Sequence, residues 1–302
     1  MDNQNLRAFL LVAETGSFSG AAAKLHLTQP AVSKRVALLE DELDAALFDR
    51  IGRNVTLTEA GEALLPHAKA VEQQLEAAVQ SVRDLSGETQ GQLRLATSHH
   101  IGLHRLPPVL STFSNEYPQV HIDIDFMDSE QAYELIHQGK AELAVVTLSP
   151  QAESNVVSIP VWQDPLDFMI ARDHPLLTRV NAPSLQAMSE YPAILPGLNT
   201  YTGQIIKSLF DSHELELQVS MATNYLETIR MLASVGLGWT ILPRSMRDAT
   251  LARLEVQEIN IERTLGLVYH EGRSLSRAAR AFINAVRARG DDLTASQRPT
   301  SP

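Results

Sequence analysis

The chain has 302 residues and no cysteine; 44% are hydrophobic, 20% charged and 5% aromatic, and the formal net charge is −11 at pH 7. Such a chain is long enough for two or three domains and apolar enough for real cores, while the missing thiols exclude disulfides, Fe–S ligation and cysteine-based zinc sites or nucleophiles. A polar, acid-bearing start, Met1-Asp2-Asn3-Gln4-Asn5, and the lack of any apolar run near the roughly 18–20 residues of a membrane span predict a cytoplasmic protein, and the acidic total confines any nucleic-acid binding to one local surface.

In chain order, residues 1–58 read as short helices. Leu6, Phe9, Leu10 and Ala13 recur at helical spacing until Thr15-Gly16-Ser17 interrupts; Ser17 or Ser19 then caps a small helix through Ala21, Ala22, Ala23 and Leu25. Thr28 offers an N-cap, Pro30 sits in the following first turn, and a third helix runs from Gln29 to about Leu43. Leu47 to Leu57 alternates around Gly52-Arg53-Asn54, the pattern of a small β-hairpin. Over 58–87, Leu64, Ala68, Val71, Leu75, Ala78, Val82 and Leu85 follow at alternating spacings of four and three. That heptad seam suits a helix lying lengthwise either on a second copy or on its own domain, and its length favours the homodimer. Ser86-Gly87-Glu88-Thr89-Gln90-Gly91 reads as a hinge.

From Gln92 strands and helices alternate. Strands are expected at 93–96, 120–126, 141–147, 193–195, 217–221 and 239–242, with helices at 107–117, 129–137, 203–213, 225–235 and 274–289, the rhythm of a parallel sheet covered by helices. Val120, Ile122, Ile124 and Phe126 should face inward. The rhythm is indistinct over 150–185, and residues 291–302 read as a solvated tail.

On a helical wheel, Val32, Val36, Leu39 and Leu43 make one apolar stripe, Pro30, Lys34 and Ala37 lie roughly opposite, and Gln29 and Ser33 flank them. A helix-turn-helix needs this division, with one face locked into a small core and a polar, small-residue face entering the major groove. Gln29 can pair with a base edge, Ser33 permits close approach, Lys34 and Arg35 reach phosphate or guanine, and Arg50 and Arg53 by the hairpin suit the flanking backbone or minor groove. Basic and acidic residues nearly balance over 1–58, so charge alone leaves an ordinary three-helix unit equally open.

The ordered series Leu6-Arg7-Ala8-Phe9, Gly16-Ser17-Phe18-Ser19-Gly20-Ala21-Ala22, Leu27-Thr28-Gln29-Pro30-Ala31-Val32-Ser33, Leu39-Glu40, Leu47-Phe48-Asp49-Arg50 and Leu57-Thr58-Glu59-Ala60-Gly61 closely resembles the LysR-type transcriptional regulators. Weaker marks (Leu106-Pro107, Tyr117-Pro118, Gly139 to Ala144, and Gly236-Leu237-Gly238 before Leu242-Pro243) extend the likeness along nearly the whole chain. The resemblance implies a multidomain protein. It has a winged helix-turn-helix domain (1–58), a long dimerising linker helix and hinge (59–90), and a periplasmic-binding-protein-like α/β effector domain of two subdomains (91–290). These subdomains divide as 91–160 with 265–290, and 161–264. It also implies a dimer-of-dimers tetramer, double-stranded DNA bearing an interrupted palindrome, and RNA polymerase as a further partner.

Ligands of such sheets sit beyond strand carboxyl ends and at helix N-termini. Thr97-Ser98-His99-His100-Ile101, Thr147-Leu148-Ser149 and Thr200-Tyr201-Thr202-Gly203 occupy such places, and their hydroxyls suit a small anion, a carboxylate or a sulfur oxyanion. By position in the family, Ser98, His100, Ile101, Thr200 and Thr202 contact effector; Thr147 joins them from its place after a strand. Ser98 and Thr202 are equally readable as helix caps. The first loop looks most like that of the cysteine-biosynthesis regulators, with two histidines where hydroxyls are expected. His100 and His104, four residues apart, raise a metal alternative that no Cys or carboxylate accompanies. Trp239 reads as core. An enzyme finds no support: Gly236-Leu237-Gly238 lacks the rest of a dinucleotide fingerprint, and no nucleophile elbow, Walker loop or zincin motif occurs. No cofactor is expected.

Overall fold

A computed structural model describes residues 1–51, 54–83, 88–174, 176–179, 183–256 and 259–296. The chain forms two compact units, Met1–Gly87 and Glu88–Pro302.

In the first unit, local capping sets the first two helices. Asp2 accepts from Gln4 N at 3.0 Å to open α1 (Asn3–Thr15), which ends at a left-handed Gly16. Ser17 accepts from Gly20 N at 3.2 Å to open α2 (Phe18–Leu25), and His26, at φ 54°, closes it. The turn leads into α3 (Gln29–Leu43), where Thr28 holds the N-cap position without a side-chain cap bond. Leu6, Phe9, Val12, Phe18, Ala21, Val32, Val36 and Leu39 bury together, and Phe48 lies against both Phe9 and Phe18. Leu43, expected in that stripe, is 40% exposed, because the last turn of α3 runs past this small core. The hairpin forms as expected: β1 (Phe48–Ile51) pairs antiparallel with β2 (Asn54–Leu57), with Gly52 and Arg53 outside the described residues.

Thr58 opens α4 (Glu59–Arg83), its hydroxyl accepting from Gly61 N at 3.1 Å and donating to Ala46 O at 2.6 Å. A Cβ at Gly61 would run into the Leu47 carbonyl, so glycine is what lets the helix start this close to the hairpin. The heptad positions then divide. Ala68 is fully buried in the unit's own core and Leu64 packs beside it, whereas Val71, Leu75 and Val82 are 40%, 42% and 68% exposed and Ala78 is exposed too; Val79, next to the seam, is 52% exposed. Leu85 lies outside the described residues.

The second unit begins with β3 (Gly91–Thr97), α5 (His99–His104), α6 (Leu106–Glu116), β4 (Val120–Phe126), α7 (Ser129–His137) and β5 (Leu143–Thr147). A long β6 (Val156–Ala171) leads to α8 (Leu176–Arg179), α9 (Leu185–Ser189), β7 (Ala193–Leu195), α10 (Tyr201–Asp211), β8 (Val219–Ala222), α11 (Leu226–Ser234) and β9 (Thr240–Pro243). A 3-10 turn, β10 (Leu251–Leu254), β11 (Ile261–His270) and α12 (Arg277–Ser296) complete it. The main sheet runs β10-β6-β11-β5-β3-β4, with β9 also on β6; β7 and β8 pair separately.

The sheet is mixed rather than parallel throughout. β3 runs parallel to β4 and β5, but β11 is antiparallel to both β5 and β6. The reason is topological: β6 carries the chain out of one lobe and β11 brings it back. Trp162 of β6 and Leu265 of β11 belong to the core with Leu95, Phe113 and Phe282, while Leu166 and Ile261 belong to the core with Ile206, Phe210 and Trp239. The crossing therefore lies at 163–165 and 262–264. A second core on each lobe's opposite sheet face gathers Ala132, Tyr133 and Ile136 in one lobe, and Ile194, Ile229 and Leu242 in the other.

Three further sequence expectations change here. Phe126 is 51% exposed: at the end of the edge strand β4 it reaches past the core, lying over Gly102 of α5 and stacking near His99. A short α5 intervenes after β3, where only a loop was expected. The final helix continues through Ser296 rather than yielding to a tail at 291, since no proline interrupts propagation before Pro299. Residues 297–302 lie outside the described residues.

Candidate DNA-reading helix and interlobe cleft

On α3, Pro30 and Lys34 are exposed opposite the buried Val32, Val36 and Leu39, Gln29 is exposed in the first turn, and Ser33 is half-buried on the flank. Arg35 is turned to the start of α1, where its Nη2 donates to Gln4 Oε1 at 2.7 Å. Glu40, which entered the sequence reading only in the Leu39-Glu40 pair of the family-like series, accepts from Leu47 N at 2.8 Å and ties α3 to the hairpin. Arg50 is placed only by its backbone on β1, and Arg53 lies outside the described residues.

Between the lobes of the second unit lies a cavity of about 50 Å³. Ser98, His100, Thr147, Thr200 and Thr202 line it, so the structure brings together five of the six effector residues expected from sequence. Ile101 is the exception. It is fully buried in the core with Leu95 and Phe113, because the short α5 turns it inward.

The cavity is built from helix starts. Thr200 caps α10, accepting from Gly203 N at 3.1 Å and donating to Gly197 O at 2.7 Å. Gly203 packs so closely that a Cβ would strike the Gly197 carbonyl. Asp128 starts α7, its N–H donating to Gln131 Oε1 at 3.2 Å, and Ser129 Oγ accepts from Thr147 N at 3.1 Å.

At its floor, where β6 and β11 cross, Arg263 Nε donates to Asp164 Oδ2 at 2.9 Å and Arg263 Nη1 to Thr202 Oγ1 at 3.0 Å. Arg105 Nη2 adds a bond to Asp164 Oδ1 at 3.1 Å. Asp164 and Arg263 are 1% and 5% exposed. Arg263 Nη2 lies 2.9 Å from Asp164 Oδ2, an ionic contact without hydrogen-bond alignment. Neither ring nitrogen of His100 has a partner among the described residues. Burial first, then the charge of Arg263, lowers the His100 pKa to about 3, so the ring is neutral at physiological pH.

Several contacts tie the lobes together across the cleft. Asn224 Nδ2 donates to Asp128 Oδ2 at 2.6 Å, Tyr201 N to Glu130 Oε1, and Tyr201 Oη to Glu153 Oε1 at 3.2 Å. His104 Nε2 lies 2.8 Å from Glu227 Oε1. The rings of His100 and His104 pack 4.7 Å apart, and among the described residues no cluster of three or more His, Cys, Asp or Glu is grouped to hold a metal.

Arg263, Asp164, Asp128, Glu130 and Asn224 escape sequence reading. Asp128-Ser129-Glu130-Gln131 does carry a capping-box spacing that marks the α7 start. Trp239, read as core, is fully buried and donates from Nε1 to Tyr191 O.

The neutral His100 has a consequence for stability. Its folded pKa, about 3, lies below its unfolded value of 6.5, so its contribution is complete above pH 6.5 and is lost as pH falls toward 3. Between pH 7 and pH 5 the wild type should lose about 2 kcal/mol more than His100→Leu. Urea unfolding at the two pH values checks this; parallel losses would show the ring taking a proton in place.

Residues 3–62 match the family described as bacterial regulatory helix-turn-helix protein, lysR family, and residues 86–291 match the LysR substrate binding domain. Over 108 residues, 36% of this chain and 75% of the relative, the chain is 61% identical to an "uncharacterized HTH-type transcriptional regulator in ibpB-leuC intergenic region" of Azotobacter vinelandii. It is 28% identical to the HTH-type transcriptional activator CmpR of Synechocystis over 96% of each chain. In fold it resembles a full-length OxyR variant from Pseudomonas aeruginosa, with a TM-score of 0.71 and 23% identity over 95% of this chain and 98% of that one.

Proposed function

The chain belongs to the LysR family of helix-turn-helix transcriptional regulators, and from that premise we propose that it reads an operator through α3 and answers to a small anionic effector held between its two C-terminal lobes. It is a DNA-binding regulator with an effector-binding domain, not an enzyme. In this reading Gln29 and Ser33 face base edges and Lys34 faces phosphate. Pro30 permits close approach, and Arg50 and Arg53 flank the groove. Arg35, engaged with Gln4, steadies the helix. The exposed stripe of α4 pairs two copies, and two such pairs span an interrupted palindrome. RNA polymerase is a downstream partner, and the setting is the cytoplasm.

One observation supports the anion most: a buried arginine, a neutral histidine without partners among the described residues, and the start of α10 face one small polar cavity. Anions are favoured where helix N–H groups and a cation converge away from water. A carboxylate or sulfur oxyanion fits. The effector shifts the lobes by no more than its differential affinity for their two arrangements.

A thermal-shift screen of sulfate, sulfite, thiosulfate, acetylserine and aromatic acids tests the reading. At 100 times its dissociation constant a ligand stabilises the fold by about 2.7 kcal/mol. Stabilisation by none of these, with a response to a neutral or cationic metabolite, would replace it. For the DNA side, Gln29→Ala should weaken specific binding by about 1–3 kcal/mol while sparing nonspecific DNA. Equal loss on operator and scrambled duplexes would remove Gln29 from the base contacts.

A further inference from the structure

The first free amide of α10, Tyr201 N–H, donates to the carboxylate of Glu130, the second residue of α7. Glu130 belongs to one lobe and Tyr201 N to the other, so a carboxylate of the chain itself already sits where helix starts from the two lobes meet. Around it the cavity offers Arg263, whose Nη1 reaches Thr202, and His100, which is 7% exposed with neither ring nitrogen bonded among the described residues. Arg263, its charge met by Asp164, and the neutral His100 keep Nη2 and both ring nitrogens without hydrogen-bond partners among the described residues, and Glu130 brings a carboxylate to the same place.

We infer that Glu130 is a built-in occupant of the effector's anion position: it holds the start of α10 while the cleft is empty, and a ligand carrying a carboxylate or tetrahedral oxyanion binds by taking its place. This rests on reading the cleft as an anion site. One N–H at a helix start cannot serve two full negative charges at close range, so one of them has to leave. Glu130 is the readier to go: burial raises its pKa, which means that keeping its charge inside is uphill, and displacement returns it to water. The exchange also replaces a direct tie between the lobes with a tie through the ligand. Neutral molecules of the same size gain nothing from it, and discrimination in favour of anions follows.

The test uses the full chain, titrated calorimetrically with sodium sulfate, sodium sulfite, sodium acetate and sodium succinate. Glu130→Ala should bind any probe that wild type binds about tenfold more tightly, because a competing occupant no longer reduces the competent fraction, and Glu130→Gln, which keeps an acceptor for Tyr201 N–H but no charge, should gain in the same direction. Glu130→Gln preserves side-chain shape, so a folded variant remains if Glu130→Ala is unstable. Asp128→Asn removes the same charge from the same helix end while leaving Tyr201 N occupied, and should gain far less. Equal or weaker binding in both Glu130 variants, or an equal gain in Asp128→Asn, overturns the inference and leaves the anion reading standing. If no probe binds wild type or any variant, the anion reading falls and the inference falls with it.

Discussion

Arg263→Met is expected to destabilise the C-terminal unit by about 3–5 kcal/mol, the cost typical of removing one partner from a buried ion pair. The argument starts from Asp164, 1% exposed on β6 and bonded by Arg263 Nε. Methionine fills much of the volume but leaves that carboxylate with Arg105, whose side chain is 19% exposed, as its remaining cation among the described residues. Arg105 therefore sets the loss toward the lower end. Thr202 also gives up its bond to Nη1. Pairing the change with Asp164→Asn removes the stranded charge and should recover a substantial part of the stability, the signature of an ion pair rather than of simple packing. Chemical unfolding of the two single variants and the double variant completes the cycle. Strict additivity would show that the two groups do not interact.

Leu75→Asp should abolish dimerisation while leaving the monomer as stable as before. Val71, Leu75, Val79 and Val82 form an exposed apolar stripe on α4, and an isolated helix face of that kind is stabilised by a second helix rather than by water. Because a two-fold seam brings the same position from each copy together, the substitution places two carboxylates in one apolar contact. The expected penalty is about 3–5 kcal/mol per dimer, at least about a hundredfold in the dissociation constant. In the monomer Leu75 is 42% exposed, so melting of the N-terminal unit should move by no more than about 0.5 kcal/mol. Sedimentation velocity across a concentration series reads the outcome. A dimer that persists at wild-type strength would assign the stripe to another surface of the same chain.

The N-terminal unit was legible in sequence because its signals are local. Ser17, Thr28, Pro30 and Thr58 each sit within three residues of the helix start that they mark, and the stripe of Val32, Val36 and Leu39 needs only helical periodicity. The same local logic led to Ser98, Thr147, Thr200 and Thr202. It misled where tertiary context decides. Leu43 continues the stripe beyond the end of the core, Ile101 follows the turn of α5 inward, and Phe126 ends an edge strand in the open. The floor of the cleft was hidden for a different reason. Asp164 and Arg263 are 99 residues apart in the chain, and β6 carries Pro160, Gln163, Asp164 and Pro165 amid its apolar residues, which breaks the alternation that announces a strand. Glu130 could be read as an early helix acid, but nothing in its neighbourhood points to Tyr201.

The β6–β11 ladder runs unbroken from Ile261 opposite Leu166 to Leu265 opposite Trp162, straight through the lobe boundary. A ribbon of two hydrogen-bonded strands keeps its ladder over a wide range of twist. Rotation about that ribbon is therefore the lobe movement that this connection opposes least, and a response carried that way should depend on the angular stiffness of a few residue pairs rather than on how widely a mouth can gape.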